Sequence, residues 1–145
     1  MHTDFIEFIE ELHKHKVDYV ITEGMALAFY GYPRYTGDLD VWTKPTLDNT
    51  KRLFNAIEEF FGTSVRASPE DFIGGHNMIN LGEEPVKIEI HHRLDGVTED
   101  EIWNTKVKGP FGTRDVYYIG KDTFIKNKRA VGRDQDLVDI KKIQD

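Results

Sequence analysis

Apolar residues recur at three- and four-residue spacing in Phe5, Phe8, Ile9 and Leu12, which predicts a helix over residues 4–15 with Thr3 as its cap. The run Tyr19-Val20-Ile21-Thr22 is short, β-branched and aromatic, and reads as a buried strand. Glu23-Gly24 is expected to turn the chain into a helical segment, Met25 to Tyr30, stopped at Gly31. Tyr32 to Gly37 reads as a loop from its proline and glycine. Alternation returns in Asp38-Leu39-Asp40-Val41-Trp42, a strand that turns Leu39 and Val41 to the core.

A helix opening at Pro45-Thr46 carries Thr50, Leu53, Phe54, Ile57 and Phe61 on one face. Ser68-Pro69-Glu70-Asp71 is a capped start with proline at the first helical position. Asn77–Leu81 and Val86–His91 read as paired strands around Gly82-Glu83-Glu84-Pro85. Thr98 and Glu101 form a capping box before Ile102-Trp103. Val116–Ile119 is read as a last strand, followed by helices over 122–131 and 134–143 broken at Gly132. The sum is an α/β domain over residues 1–145, a small mixed sheet with helices packed against it and no linker.

Composition narrows the function. Nineteen basic and 26 acidic residues give a net charge of −7, which argues against non-specific coating of nucleic acid. No apolar run reaches the roughly 18 residues of a membrane span, and the first 20 residues lack a secretory pattern. The chain has no cysteine. That removes disulfides, thiol nucleophiles and thiolate metal sites, and is compatible with a cytoplasmic location.

The chemistry-bearing feature is Asp38-Leu39-Asp40. Residues i and i+2 of a strand share a face, and two neighbouring carboxylates repel unless a cation lies between them. Such a pair suits Mg²⁺, an oxygen-preferring ion that also holds substrate phosphates. A solvated strand surface is the other reading. Glu89 lies in a second alternating strand, opposite in face to Ile88 and Ile90. Placed beside the first strand, it adds a third carboxylate and completes a two-metal arrangement; otherwise it faces solvent. Gly24, between a strand and a helix, permits close approach of a phosphate or marks a tight turn. Arg34 lies in the loop between Gly24 and Asp38, within reach of the same phosphates.

Glu23-Gly24, Ala26, Gly31, Arg34, Thr36 and Asp38-Leu39-Asp40 together resemble the nucleotidyltransferase superfamily of the DNA polymerase β type. The nearest likeness is to small stand-alone members related to abortive-infection toxins of toxin–antitoxin pairs. The stretch 31–40 is the most specific part, the tail 124–140 resembles the end of that group, and the likeness runs from about residue 17 to 143.

The resemblance implies that Asp38, Asp40 and Glu89 are catalytic and hold two Mg²⁺ ions, and that Gly24 lies under a nucleoside triphosphate. An acceptor hydroxyl on RNA or protein would attack the α-phosphate and release pyrophosphate, with Glu89 taking the proton. Two positions depart from the family pattern. Glutamate stands at position 23 where glycine is usual, placing bulk and negative charge near the expected triphosphate unless it points away. Glu89 is one methylene longer than the usual aspartate.

Residues 121–133 carry Lys121, Lys126, Lys128, Arg129 and Arg133 against Asp122, a basic segment in an acidic chain. Lys128 and Arg133 are the expected nucleotide contacts, against the alternative of a solvated face balanced by Asp134, Asp136 and Asp139. His91 shares parity with Glu89, so it falls on the same face, whereas His92 falls on the other. Trp42 shares the Asp38–Asp40 face, either to stack on a base or to be buried. The leading expectation is a Mg²⁺-dependent nucleotidyltransferase, with a homo-oligomer or an antitoxin as partner. A catalytically degenerate binding module on the same fold and a metal-dependent phosphohydrolase are the competing readings.

Overall fold

The computed structural model describes residues 3–32, 37–75 and 78–144. The elements run α1 (Thr3–Lys14), β1 (Tyr19–Thr22), α2 (Glu23–Phe29), β2 (Asp38–Thr43), α3 (Leu47–Phe61), α4 (Pro69–Gly74), β3 (Ile79–Glu83), β4 (Val86–His91), α5 (Glu99–Asn104), β5 (Val107–Phe111), β6 (Arg114–Tyr118), α6 (Lys121–Val131) and α7 (Asp134–Gln144). The strands form one mixed sheet in the order β3-β4-β2-β1-β6-β5. Pairing is antiparallel for β1–β2, β3–β4 and β5–β6, and parallel for β2–β4 and β1–β6. The mixed α/β architecture expected from the sequence is therefore present, with a larger sheet than the strand patterns indicated.

Alternation fixes the centre of that sheet. Leu39 and Val41 on β2, and Ile88 and Ile90 on β4, are fully buried. A one-residue slip would exchange these side chains with the polar ones, so burial holds the register. The ladder pairs Asp38 with Lys87, Asp40 with Glu89 and Trp42 with His91. The polar residues of both strands are thereby directed to one face.

Helix α1 buries Phe5, Phe8, Ile9 and Leu12 and packs on α3. Thr46 caps α3 by accepting from the Asn49 backbone N–H. Asn49 itself is fully buried. Its Oδ1 accepts from the Asp18 N–H at 2.7 Å, while its Nδ2 donates to the carbonyls of Asp18 at 3.0 Å and Lys44 at 2.9 Å. One side chain thus ties the entry to β1 and the exit from β2 to a helix.

Two local expectations change. The β3–β4 ladder continues through Gly82–Lys87 and Glu83–Val86, so the loop is two residues rather than four. Gly82 permits this: its φ is +74°, and a Cβ there would lie 2.2 Å from the Val86 carbonyl oxygen. Strand β5 has no strand signature in sequence, because Gly109 and Pro110 both disfavour strands. It forms at the sheet edge, where proline is tolerated, and Gly109 leaves space for the Phe29 ring, 2.3 Å from where a Cβ would stand. Among the described residues no helix is long and apolar enough to cross a membrane.

Candidate active site

The parallel pairing of β2 and β4 brings together carboxylates 49 positions apart in sequence. Asp40 is buried, Glu89 half-buried, and they are direct ladder partners. One donor atom each from Asp40, Glu89 and His91 lie within 4.8 Å of one another. His91 Nε2 stands 3.2 Å from Asp40 Oδ1. Asp38 lies on the same face at the start of β2, half-buried and partnered, opposite Lys87. Lys87 Nζ lies 3.5 Å from Glu89 Oε1.

Electrostatics make this cluster receptive to a cation. Burial pushes the Glu89 carboxyl above its ordinary range, and the adjacent Asp40 carboxylate pushes it further; Lys87 and His91 oppose the shift. Both raising causes act against a second negative charge, and a dication between the groups removes that penalty. A further observation agrees. Thr22, the β1 partner of Asp40, has a buried hydroxyl oxygen with no hydrogen-bond partner among the described residues. The donor set, two carboxylates and an imidazole, is thus suited to a divalent cation.

Gly24 is buried in the first turn of α2, immediately after β1. Helix α2 begins one residue before it, so the expected turn is the helix start itself. Glu23 has φ +58°, a conformation that costs a non-glycine residue about 1 kcal/mol or more.

The glutamate side chain is not part of the Asp40–Glu89–His91 cluster. It pairs with the Lys128 ammonium. Lys128 on α6 is 1% exposed, and its Nζ also donates to Asp136 Oδ1 on α7 at 3.1 Å. Arg133 completes the group: its Nε donates to Asp136 Oδ2 at 2.8 Å and its Nη2 to Oδ1 at 3.3 Å. Burial alone would raise the Asp136 carboxyl, yet Arg133 and Lys128 hold it below the usual range.

The structure brings Asp40 and Glu89 together, the arrangement that the strand patterns left conditional on adjacency of the two strands, and Asp38 accompanies them on the shared face. Gly24 borders this region through β1. Lys128 and Arg133 are joined to Glu23 and Asp136 in an ionic group in which Lys128 is buried and Arg133 remains exposed to solvent. Arg34 lies outside the described residues. Trp42 is fully buried, so it presents no surface for base stacking. The Glu23–Lys128 pair was not visible in sequence, although Lys128 lies four residues after Phe124 on the apolar side of α6, a position that signals burial.

No family model matches the chain, and no curated protein matches it in sequence. Solved structures do match in fold. The lincomycin-bound lincosamide antibiotic adenylyltransferase LnuA superposes with a TM-score of 0.62 at 12% identity, over 99% of this chain and 96% of that one. A candidate nucleotidyltransferase from Thermotoga maritima gives 0.63 at 17% identity, over 95% and 88%. The antibiotic-resistance factor ANT(2'')-Ia gives 0.64 at 11% identity, over 97% and 80%. The chain has a minimal nucleotidyltransferase fold. At these identities the likeness is one of architecture, and the chemistry has to be argued from the residues above.

Proposed function

We propose that the protein is a Mg²⁺-dependent nucleotidyltransferase that moves a nucleoside monophosphate from a nucleoside triphosphate to a hydroxyl on RNA or protein. The observation that carries this reading is the convergence of Asp40 and Glu89 on adjacent parallel strands, with Asp38 on the same face, inside a nucleotidyltransferase fold. In this reading Asp38, Asp40 and Glu89 hold two Mg²⁺ ions. Bound there, the ions would lower the acceptor hydroxyl's pKa and balance charge on the leaving pyrophosphate. Glu89, whose carboxyl is already raised by burial and by Asp40, accepts the hydroxyl proton. The acceptor oxygen bonds to the α-phosphorus, the bond from that phosphorus to the bridging oxygen breaks, and pyrophosphate leaves. Gly24 keeps the backbone low beneath the triphosphate. The sequence resemblance to abortive-infection toxins supports a role in a toxin–antitoxin pair, with an antitoxin or a second copy of the chain as partner.

The test is pyrophosphate release from nucleoside triphosphates with Mg²⁺ and candidate acceptors. Activity that disappears in the Asp38→Ala, Asp40→Ala double variant supports the reading. Metal-independent release, or release unchanged in that variant, defeats it.

A second reading has its own observation. The Glu23 carboxylate engages Lys128, a residue expected to contact the nucleotide, and this favours a catalytically degenerate nucleotide- or partner-binding module. Calorimetry with nucleoside triphosphate and Mg²⁺ separates the two: a wild type that binds nothing beside a Glu23→Gly variant that binds identifies the degenerate module.

A further inference from the structure

We propose that His91 is a further protein ligand at the candidate metal site, beside its carboxylates, and that its imidazole makes the site prefer a first-row transition dication, Mn²⁺ in the test below, over Mg²⁺. The inference rests on the preceding reading only insofar as Asp40 and Glu89 hold a cation; it does not require nucleotidyl transfer. Its basis is geometric. His91 follows Glu89 by two positions on β4 and therefore projects from the same face. It is the ladder partner of the fully buried Trp42, which fixes its backbone. Its Nε2 lies 3.2 Å from Asp40 Oδ1, and one donor atom from each of Asp40, Glu89 and His91 fits within 4.8 Å. An ion bound by the two carboxylates therefore has an imidazole nitrogen beside it.

The chemistry of that nitrogen donor sets the preference. Mg²⁺ selects oxygen ligands and parts reluctantly with water. Imidazole nitrogen adds affinity for transition dications, which bind mixed nitrogen and oxygen sites more tightly. With Nε2 as ligand, the ring proton resides on Nδ1. A site of carboxylates alone would lack this bias.

Mn²⁺ titrated into the full chain without nucleotide, followed by electron paramagnetic resonance, gives the affinity, and electron spin-echo modulation detects a directly bound nitrogen. We expect ¹⁴N modulation in the wild type that changes to the ¹⁵N pattern in protein labelled with ¹⁵N-histidine. In His91→Ala and His91→Gln, checked for folding by circular dichroism, the modulation disappears. Mn²⁺ affinity falls by about tenfold or more, the scale at which the ligand environment tunes metal binding, while competing Mg²⁺ changes much less.

Glu11 on α1, His15 just after that helix and Glu59 on α3 form a second donor group, so His15→Ala is the control and keeps the signal. The proposal is overturned if Mn²⁺ does not bind, or if it binds without nitrogen modulation. It is equally overturned if the modulation follows His15 instead of His91, or if His91→Ala weakens Mn²⁺ and Mg²⁺ equally. Nitrogen-coupled Mn²⁺ in a protein that releases no pyrophosphate would defeat the transferase reading and leave this one standing.

Discussion

The carboxylate of Glu23 closes on the ammonium of Lys128, 105 positions further along the chain. The pair joins the backbone entering α2, beside the candidate nucleotide site, to the C-terminal helices. Because Lys128 also holds Asp136, and Asp136 holds Arg133, two acids and two bases form one formally neutral group. A charge taken from its middle leaves the neighbouring carboxylates facing each other.

Lys128→Met is therefore expected to destabilise the protein by about 3 kcal/mol, the cost of removing one partner from a buried ionic group. Urea denaturation measures it. A loss below about 1 kcal/mol would mean that water reaches Asp136 and replaces the ammonium.

Asn49→Ala removes three hydrogen bonds that link Asp18 and Lys44 to α3. The orphaned backbone groups at Asp18 and Lys44 are expected to cost about 2–3 kcal/mol in total. The same denaturation series reads this loss, and Asn49→Asp, which keeps the acceptor for the Asp18 N–H but turns a second carboxylate oxygen onto the buried carbonyls of Asp18 and Lys44, should be destabilised at least as much.

Asp40→Asn is expected to act in opposite directions with and without metal. In metal-free protein it removes the charge that crowds Glu89 and raises the melting temperature. With millimolar Mg²⁺ or Mn²⁺, the wild type gains stability by mass action and the variant does not. Thermal melts in both conditions decide it, and a variant that keeps the full metal-induced shift would show that the ion binds elsewhere.

His13 supplies a pH dependence. Burial lowers its pKa below 6.5, Arg114 lowers it further, and Glu10 opposes; its ring nitrogen lies 2.7 Å from the Tyr19 hydroxyl. The unfolded chain therefore binds a proton more readily than the folded one. His13 contributes stability that is fully present above pH 6.5 and lost as pH falls through its lower folded value. His13→Gln should flatten the stability profile in that window, and an unchanged slope would place the titration on another group.

Sequence periodicity located the parts of this molecule whose pattern is local. Leu39, Val41, Ile88 and Ile90 alternate within their own strands, so the facing of Asp38, Asp40 and Glu89 followed directly. What periodicity could not supply was the pairing of those strands, because β2 and β4 are parallel and separated by α3, α4 and β3. The resemblance bridged that gap for the carboxylates. It gave no place to His91 because the family pattern stops at the third carboxylate. Strand β5 was hidden because its two weakest strand formers, Gly109 and Pro110, are tolerated only by an edge position and a neighbouring aromatic ring. Lys128 was read by charge, whereas its spacing from Phe124 already placed it among apolar side chains.

The ionic group also divides labour along the polypeptide. The cation-receptive donors come from strands in residues 38–91, whereas the base that restrains Glu23 and the acid that anchors it come from residues 121–144. Substitutions at Lys128 or Asp136 would leave those donors in their strands and change the grip on the glutamate, so the tail adjusts access to the cleft without supplying any of its ligands.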